Sequence, residues 1–425
     1  MSQPTDKIPK VRRVAFAGAI GNVMEWYDFA VYAYMAPIIS SLFFPSDNSF
    51  TSLMATYGAF AAGYLSRPLG GVVFGHIGDK VGRKRVLILS VLLMGTATFA
   101  IGLLPDTTQI GPMAAVALVL LRIFQGFSVG GEYTGSTTFV IEHAPVNQRA
   151  FYSSWILAGS AGGFLLGSGV ATLLTNLVTD AVLHGWAWRI PFLFGALIGL
   201  VALFLRRHLE ETPAPTDEQP IERSPVIIAF RDHWGDMLRV MGLALSVNVG
   251  FYMMFVYALS YLTERMHVST AHAMDINTFC MVILTVLPLP IAMLADRIGR
   301  KPILLTGAIG IIVLSWPLFW FMHHQNLVMV FIGQVGFAIL FSWIYAANPA
   351  AQAEILSRRV RVSVLSIAYN VCLAVFGGTT PLVAAYLVQR TSDDFAPVYY
   401  LMVLGMLSLI AVLSIPETKG KPLRS

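Results

Sequence analysis

Five ionisable residues stand inside long apolar stretches of this chain: Glu25, Asp28, Arg67, Arg122 and Glu132. A charge within hydrocarbon is costly, so such groups pair with one another or face a watery path. Three acids against two bases leave a surplus acid. Burial and a like-charged neighbour strengthen a carboxyl's hold on a proton, which is the property of a proton carrier. Glu25 and Asp28 are three residues apart, which puts both on one side of a helix. Counted at about 1.5 Å per residue, Glu25 lies roughly 16 Å into its apolar stretch and Arg122 roughly 14 Å into its own, both near mid-depth of a bilayer. The expected arrangement pairs the acids of the first stretch with Arg122 and leaves Glu132 nearer the inner side. Glu25, Asp28 and Glu132 are the candidate proton-coupling residues. Arg122, with Arg67, is the candidate for holding a carboxylate in a bidentate fork. The competing reading is that these charges only pin neighbouring helices, and it applies most to Asp28 and Arg67.

Polar and aromatic residues at similar depth complete a candidate lining: Tyr32, Tyr57, Gln125, Tyr133 and Trp155 in the first half, and Tyr252, Tyr257, Asn348, Tyr369 and Asn370 in the second, with Asn248 and Tyr345 beside them. The rings suit a quaternary ammonium and the arginines suit a carboxylate. A small carboxylate-bearing solute, either an organic acid such as a di- or tricarboxylate or a zwitterion, satisfies both.

The elements that position these groups follow from composition. Of 425 residues, 56% are hydrophobic and only 12% are charged, with a mean hydropathy of +0.69. A span of about 20 apolar residues crosses a bilayer. Twelve such spans are expected, at 14–44, 52–76, 86–105, 113–141, 149–176, 187–206, 237–263, 272–295, 303–322, 327–356, 361–388 and 396–415. Of the 28 Lys and Arg residues, 23 fall in the loops and tails on one side of these spans. By the positive-inside rule both termini are cytoplasmic. The net charge of +5 then reflects topology, and no nucleic-acid partner is needed to explain it.

Hydropathy collapses between Arg206 and Asp236, dividing the chain into a six-helix bundle at 1–208, a cytoplasmic linker at 209–235 and a second six-helix bundle at 236–425. A surface helix is expected around Ser224–His233 because Pro225 suits a first helical turn. The two halves share a loop word, Gly78-Asp79-Lys80-Val81-Gly82-Arg83-Lys84 and Ala295-Asp296-Arg297-Ile298-Gly299-Arg300-Lys301. Duplicated bundles are the architecture of secondary transporters. The expected fold is therefore an all-α membrane protein of twelve transmembrane helices in two pseudo-symmetric bundles.

Several classes are disfavoured. Cys280 and Cys372 both sit within spans, where buried thiols are the simpler reading than a disulfide or metal pair. No His, Cys and carboxylate group has metal-ligand spacing, and no glycine loop cradles a phosphate, so neither a metal, a cofactor nor ATP drive is expected. An enzyme would need a nucleophile with a base or a metal cluster, and none is visible. No cleaved leader is expected at Met1–Arg13.

The combination Gly21-Asn22-Val23-Met24-Glu25-Trp26-Tyr27-Asp28-Phe29, Arg67-Pro68-Leu69-Gly70-Gly71, Arg122-Ile123-Phe124-Gln125-Gly126-Phe127-Ser128-Val129-Gly130-Gly131-Glu132-Tyr133 and Trp186-Ala187-Trp188-Arg189-Ile190-Pro191-Phe192 resembles the major facilitator superfamily. Within it, the chain resembles the metabolite:proton symporter family, which includes proline and glycine-betaine symporters and a 2-oxoglutarate permease. The resemblance covers essentially the whole chain. It implies a monomeric bacterial inner-membrane symporter working by alternating access, with protons, the lipid bilayer and a small solute as its partners. It also implies that Asp79 and Arg83, with Asp296 and Arg300 in the second half, latch the inner side. The fifth span has the glycine-rich run Gly159–Gly167 without the Gly-Pro pair of antiporters, which fits symport by close, unkinked packing. The expected function is proton-coupled uptake of a small carboxylate-containing organic acid. The alternatives are proton-coupled uptake of a zwitterionic osmolyte such as proline or glycine betaine, and uncoupled facilitation or exchange.

Overall fold

A computed structural model describes residues 7–81, 83–207, 230–358 and 360–424, without the side chains of 7–10, 12–14, 17, 75–87, 132, 198 and 202–207. Most of the linker at 209–235, and with it most of the expected surface helix near Ser224, lies outside the described residues. So do the side chains of Asp79 and Arg83.

All regular structure among the described residues is helical. Twelve helical units follow one another: α1 (Lys7–Tyr34, continued by Ala36–Phe43), α2 (Ser49–Val81), α3 (Arg83–Leu103), α4 (Met113–Ser128 and Glu132–His143), α5 (Arg149–Leu177), α6 (Ile190–Arg207), α7 (Trp234–Tyr252, a π turn at Met253–Tyr257, then Ala258–Glu264), α8 (Thr270–Val286 and Pro288–Ile298), α9 (Arg300–Met322), α10 (Leu327–Tyr345 and Asn348–Glu354), α11 (Arg361–Cys372, a π turn at Leu373–Gly377, then Thr380–Thr391) and α12 (Ala396–Ser414). Among the described residues, eight of these units are long and apolar enough to cross a membrane on length and composition alone. The other four, α1, α2, α3 and α6, are the units that carry the most charge or run into residues not described.

The interruptions have local causes. Pro37, Pro288 and Pro349 each sit at the first or second position of a restarted helix, where the missing N–H costs nothing. The break in α4 falls on Gly130-Gly131, and the Gly130 carbonyl that the helix releases accepts 2.6 Å from Asn370 Nδ2 of α11. Non-helical backbone at this depth is tolerated because protein satisfies it.

Helices approach closely where the sequence has its glycine run, as they do at Gly70 and Gly126 between α2 and α4. A Cβ at Gly159 would lie 2.3 Å from the Ala19 carbonyl oxygen, and one at Gly163 would lie 2.5 Å from that of Val23. The α1–α5 contact is therefore backbone against backbone, as small-residue packing in membranes allows. Gly163→Ala should push the two helices apart and cost about 1–3 kcal/mol, the usual range for overpacking. A thermal melt of the detergent-solubilised protein checks this, and an unshifted melting temperature would refute the contact.

Candidate functional site

The ionisable groups of the first bundle meet in two separate clusters. In the first, Glu25 Oε1 accepts 2.6 Å from Arg67 Nη2, and both side chains are 2% exposed. Arg67 also reaches across to the second half, its Nε lying 3.5 Å from Asn370 Oδ1. Its guanidinium stands 5.4 Å from the Trp26 ring, 5.3 Å from Phe29 and 5.7 Å from Tyr64. Tyr64 in turn shares a 2.7 Å hydroxyl contact with Tyr252 of α7. The ion pair thus lies at the seam between halves, in an aromatic wall.

The second cluster lies inside the first bundle. Arg122 Nη1 donates 2.7 Å to Gln125 Oε1, and Gln125 Nε2 donates 2.7 Å to Thr98 Oγ1. Thr98 stands beside Asp28, whose charge is felt by Arg122. Rings enclose the Arg122 guanidinium, with Tyr32 at 4.3 Å, Phe29 at 5.0 Å and Phe60 at 5.5 Å, and its Nε and Nη2 have no partner. Glycine is required at position 195 of α6, because a Cβ there would come within 3.0 Å of Asp28 Oδ1 and 2.9 Å of Thr98 Cγ2.

These positions correct the expected pairing. The ion pair of the first helix is Glu25–Arg67, not Glu25–Arg122, and Asp28 turns away from Glu25 toward α3 and α6. The two arginines share the Phe29 ring but serve different acids.

The other expected lining residues spread along the seam. Tyr32 donates 3.1 Å to the Thr56 carbonyl. Tyr57 donates 2.7 Å to Ser260 of α7, a contact between halves, while Tyr257 is buried in the π turn of the same helix. Tyr133 and Tyr369 stack across the halves at 4.6 Å. Asn348 donates 2.7 Å to the Leu243 carbonyl and accepts from Gln352. Trp155 packs edge-on against Phe151 and is half-buried, apart from both charge clusters. Sequence reasoning missed Tyr64, Phe29 and Phe60, whose only signal was an aromatic position one or two helical turns from a buried charge.

Contacts between the halves occur on both faces. On the face bearing the chain termini, the Asp296 carboxylate accepts from the Ala150 and Phe151 backbone N–H groups at the start of α5, at 3.1 and 2.9 Å. Arg300 lies 3.0 Å from Asp296 and donates to both oxygens of Glu354 at 3.1 Å each. Two further ion pairs join the halves, Arg149–Glu354 at 3.7 Å and Arg361–Glu142 at 2.7 Å. They are related by the internal repeat, since Glu142 precedes Arg149 by the same seven residues that separate Glu354 from Arg361. Each acid pairs with the arginine of the opposite half.

Glu417, just beyond α12, caps α9. Its carboxylate accepts from the backbone N–H groups of Arg300, Lys301, Thr418 and Lys419 at 2.8–3.1 Å. Burial raises its proton affinity, but these donors outweigh it and hold the carboxyl below the usual glutamate range. A depressed carboxyl stabilises the fold above the unfolded-state pKa, and that contribution fades as pH falls through the depressed value. Glu417→Gln should therefore lower the melting temperature at neutral pH and change it little at strongly acidic pH. Melts at the two pH values check this, and an equal loss at both would refute it.

On the opposite face the seam is built mainly of hydroxyls and amides. Ser168 and Thr172 of α5 meet the Thr278 hydroxyl of α8 at 2.5 and 2.8 Å, and Asn277 Nδ2 lies 3.4 Å from Ser168 Oγ. Asn176 donates 3.2 Å to Asp275 at its outer end. Among the described residues no cluster of side chains could hold a metal ion, and both cysteines are free and buried.

A sequence profile of the Major Facilitator Superfamily matches residues 18–284, and one for sugar (and other) transporters matches 230–425. The chain belongs to the major facilitator superfamily. Its relatives include a glycine betaine/proline/ectoine/pipecolic acid transporter of Dickeya dadantii, 36% identical over 98% of this chain and 85% of that protein. The proline/betaine transporter of Escherichia coli K12 is 35% identical over the same shares, and a putative proline/betaine transporter of Staphylococcus aureus is 37% identical over 98% and 90%. Among solved structures, a D-xylose–proton symporter superposes with a TM-score of 0.75 at 21% identity, covering 96% of this chain and 99% of its own. The inward-open xylose transporter XylE of E. coli scores 0.71 at 18% identity, covering 97% and 98%. At that identity the likeness shows the fold alone, and the fold is the expected one. This major facilitator protein is a multi-pass membrane transporter and not an enzyme. The expected resemblance to the branch containing proline and betaine carriers is borne out by these relatives.

Proposed function

We propose that this transporter takes up a zwitterionic osmolyte of the proline and betaine class with protons, by alternating access. The observation that carries the reading is the charge layout. A di- or tricarboxylate needs several unpaired cations facing the path, whereas Arg67 is already committed to Glu25 and Arg122 is enclosed by rings within the first bundle. A cargo whose charges cancel asks for no such surplus. The names of the relatives favour the same class over the organic acid expected first.

In this reading both termini face the cytoplasm of a bacterial inner membrane, and a monomer suffices. Asp28 binds the proton. When ionised it balances Arg122 through Thr98 and Gln125; when protonated it leaves the Arg122 charge uncompensated within the first bundle. Arg122 thus acts on coupling rather than as the carboxylate's direct ligand. Glu25 and Arg67 transmit the change, because Arg67 holds Asn370 of the second half as well as Glu25. Glu132 stands beside the α4 break and is assigned to the same relay. The latch at Asp296 and Arg300, with Asp79 and Arg83 as its counterpart, closes the cytoplasmic side.

Uptake of labelled glycine betaine, proline, 2-oxoglutarate and citrate into proteoliposomes with an imposed pH gradient tests this. Betaine or proline should accumulate, and an uncoupler should abolish accumulation. Gradient-driven uptake of the acids alone would overturn the substrate class, and uncoupler-resistant accumulation would overturn the proton. Asp28→Asn should eliminate accumulation while leaving downhill exchange measurable.

A further inference from the structure

Between α4, α7, α10 and α11 lies a narrow cleft that the charge clusters do not use. None of the described residues lining it is charged. Its walls include Tyr133, Tyr345 and Tyr369, with the amides of Asn248, Asn348 and Gln352 at one end. The rings of Tyr133 and Tyr369 stack directly on each other, 4.6 Å between centroids and 24° between planes. They come from opposite halves, so they part when the halves move. Gln352 Nε2 donates to Asn348 Oδ1, and Asn348 Nδ2 donates to the Leu243 carbonyl. Asn248 differs: it is 4% exposed, and its Nδ2 has no oxygen or nitrogen partner, only the Cys372 sulfur beside it.

A buried amide N–H₂ whose acceptor is only a weakly accepting sulfur is costly in an empty protein and useful in a loaded one. A pair of parallel phenol faces that can separate has the matching property for the other charge. Aromatic faces attract a cation within about 6 Å of the ring centroid, most strongly where water is excluded. A lysine or arginine side chain cannot serve as that cation, because the described lining contains neither.

We infer that this cleft is the solute subsite: the Tyr133 and Tyr369 rings separate to take an alkylated ammonium between them, with Tyr345 as a third wall, while Asn248 Nδ2 donates to the solute's carboxylate. This rests on the osmolyte reading and narrows it, for it explains selection of a fully alkylated ammonium over a primary one. Methylation removes the N–H groups that would demand acceptors and spreads the charge over carbon, which suits phenol faces better than amides. The same stack links loading to closure, since the rings can meet a cation on both sides only when the two halves are together.

The test compares glycine betaine with 3,3-dimethylbutyrate, which has the same shape and carboxylate but a neutral carbon in place of the ammonium nitrogen. Calorimetric binding is measured on the purified full chain. The unmodified protein should bind betaine about 10- to 30-fold more tightly than the carbon analogue, the range of a desolvated cation–ring contact. Tyr369→Leu and Tyr133→Leu should erase that preference, and Tyr369→Phe and Tyr133→Phe should keep it. Asn248→Ala should weaken both ligands equally. Failure of the unmodified protein to bind either betaine or proline overturns the osmolyte reading and the cage together. Betaine binding whose preference survives both Leu substitutions, in variants with an unchanged melting temperature, overturns the cage and leaves the osmolyte reading standing.

Discussion

Arg67→Met with Glu25 left in place should abolish solute accumulation and cost roughly 3–5 kcal/mol of stability, the range for removing one partner of a buried ion pair. Both side chains are 2% exposed, so water cannot take over the lost contact. The three rings now around the guanidinium, Trp26, Phe29 and Tyr64, would lose their cation as well. The double variant Glu25→Gln/Arg67→Gln should recover most of the stability, because two neutral amides can bond to each other. It should recover none of the transport if the pair relays charge. Thermal melts and vesicle uptake on the same preparations separate the two effects. Recovery of transport along with stability would reduce the pair to a structural pin, the competing reading of Arg67 from the sequence.

The second large effect concerns the inner closure. Glu142 makes one ion pair, with Arg361, and Arg361 itself bonds the Ala353 and Leu356 carbonyls. Removing the acid therefore tests the gate without dismantling the α11 start. Glu142→Lys should set two cations against each other and shift the carrier toward the form open on that face, lowering uptake about tenfold, the effect of ~1.4 kcal/mol on a two-state balance. Spin labels at Gln148 and Lys419, both exposed and on opposite sides of the seam, should report longer distances in the variant. Glu142→Gln should fall between it and the unmodified protein. Unchanged distances in Glu142→Lys would mean that the neighbouring Arg149–Glu354 pair and the Asp296 cap hold the seam unaided.

The spans and the repeated loop word were legible in the sequence, because hydrocarbon tolerates so few local solutions, whereas the breaks within the spans were not. The glycine run at 159–167 announced the tight α1–α5 contact for the same reason. The partners of the charges were not legible. A separation of three residues places Glu25 and Asp28 about 60° apart around the helix, near enough to share a side and far enough to reach different neighbours. Which neighbours those are depends on how α2, α3 and α6 pack around α1, and no local pattern encodes that. Arg67 and Arg122 looked equivalent as intramembrane cations, yet one faces the second half and the other is sealed within the first. Glu142 and Glu354 were overlooked because an acid at the end of a span reads as a solvated charge. The repeated seven-residue spacing to Arg149 and Arg361 was the available signal.

The two seams differ in what must be surrendered to part them. The hydroxyl seam of Ser168, Thr172 and Thr278 exchanges one neutral contact for another as solvent enters, so it can yield with little resistance. Its counterpart must pull opposite charges apart, Arg149 from Glu354 and Arg361 from Glu142. Of the two faces, the one held by hydroxyls is therefore the easier to open, and the one held by ion pairs sets the height of the step.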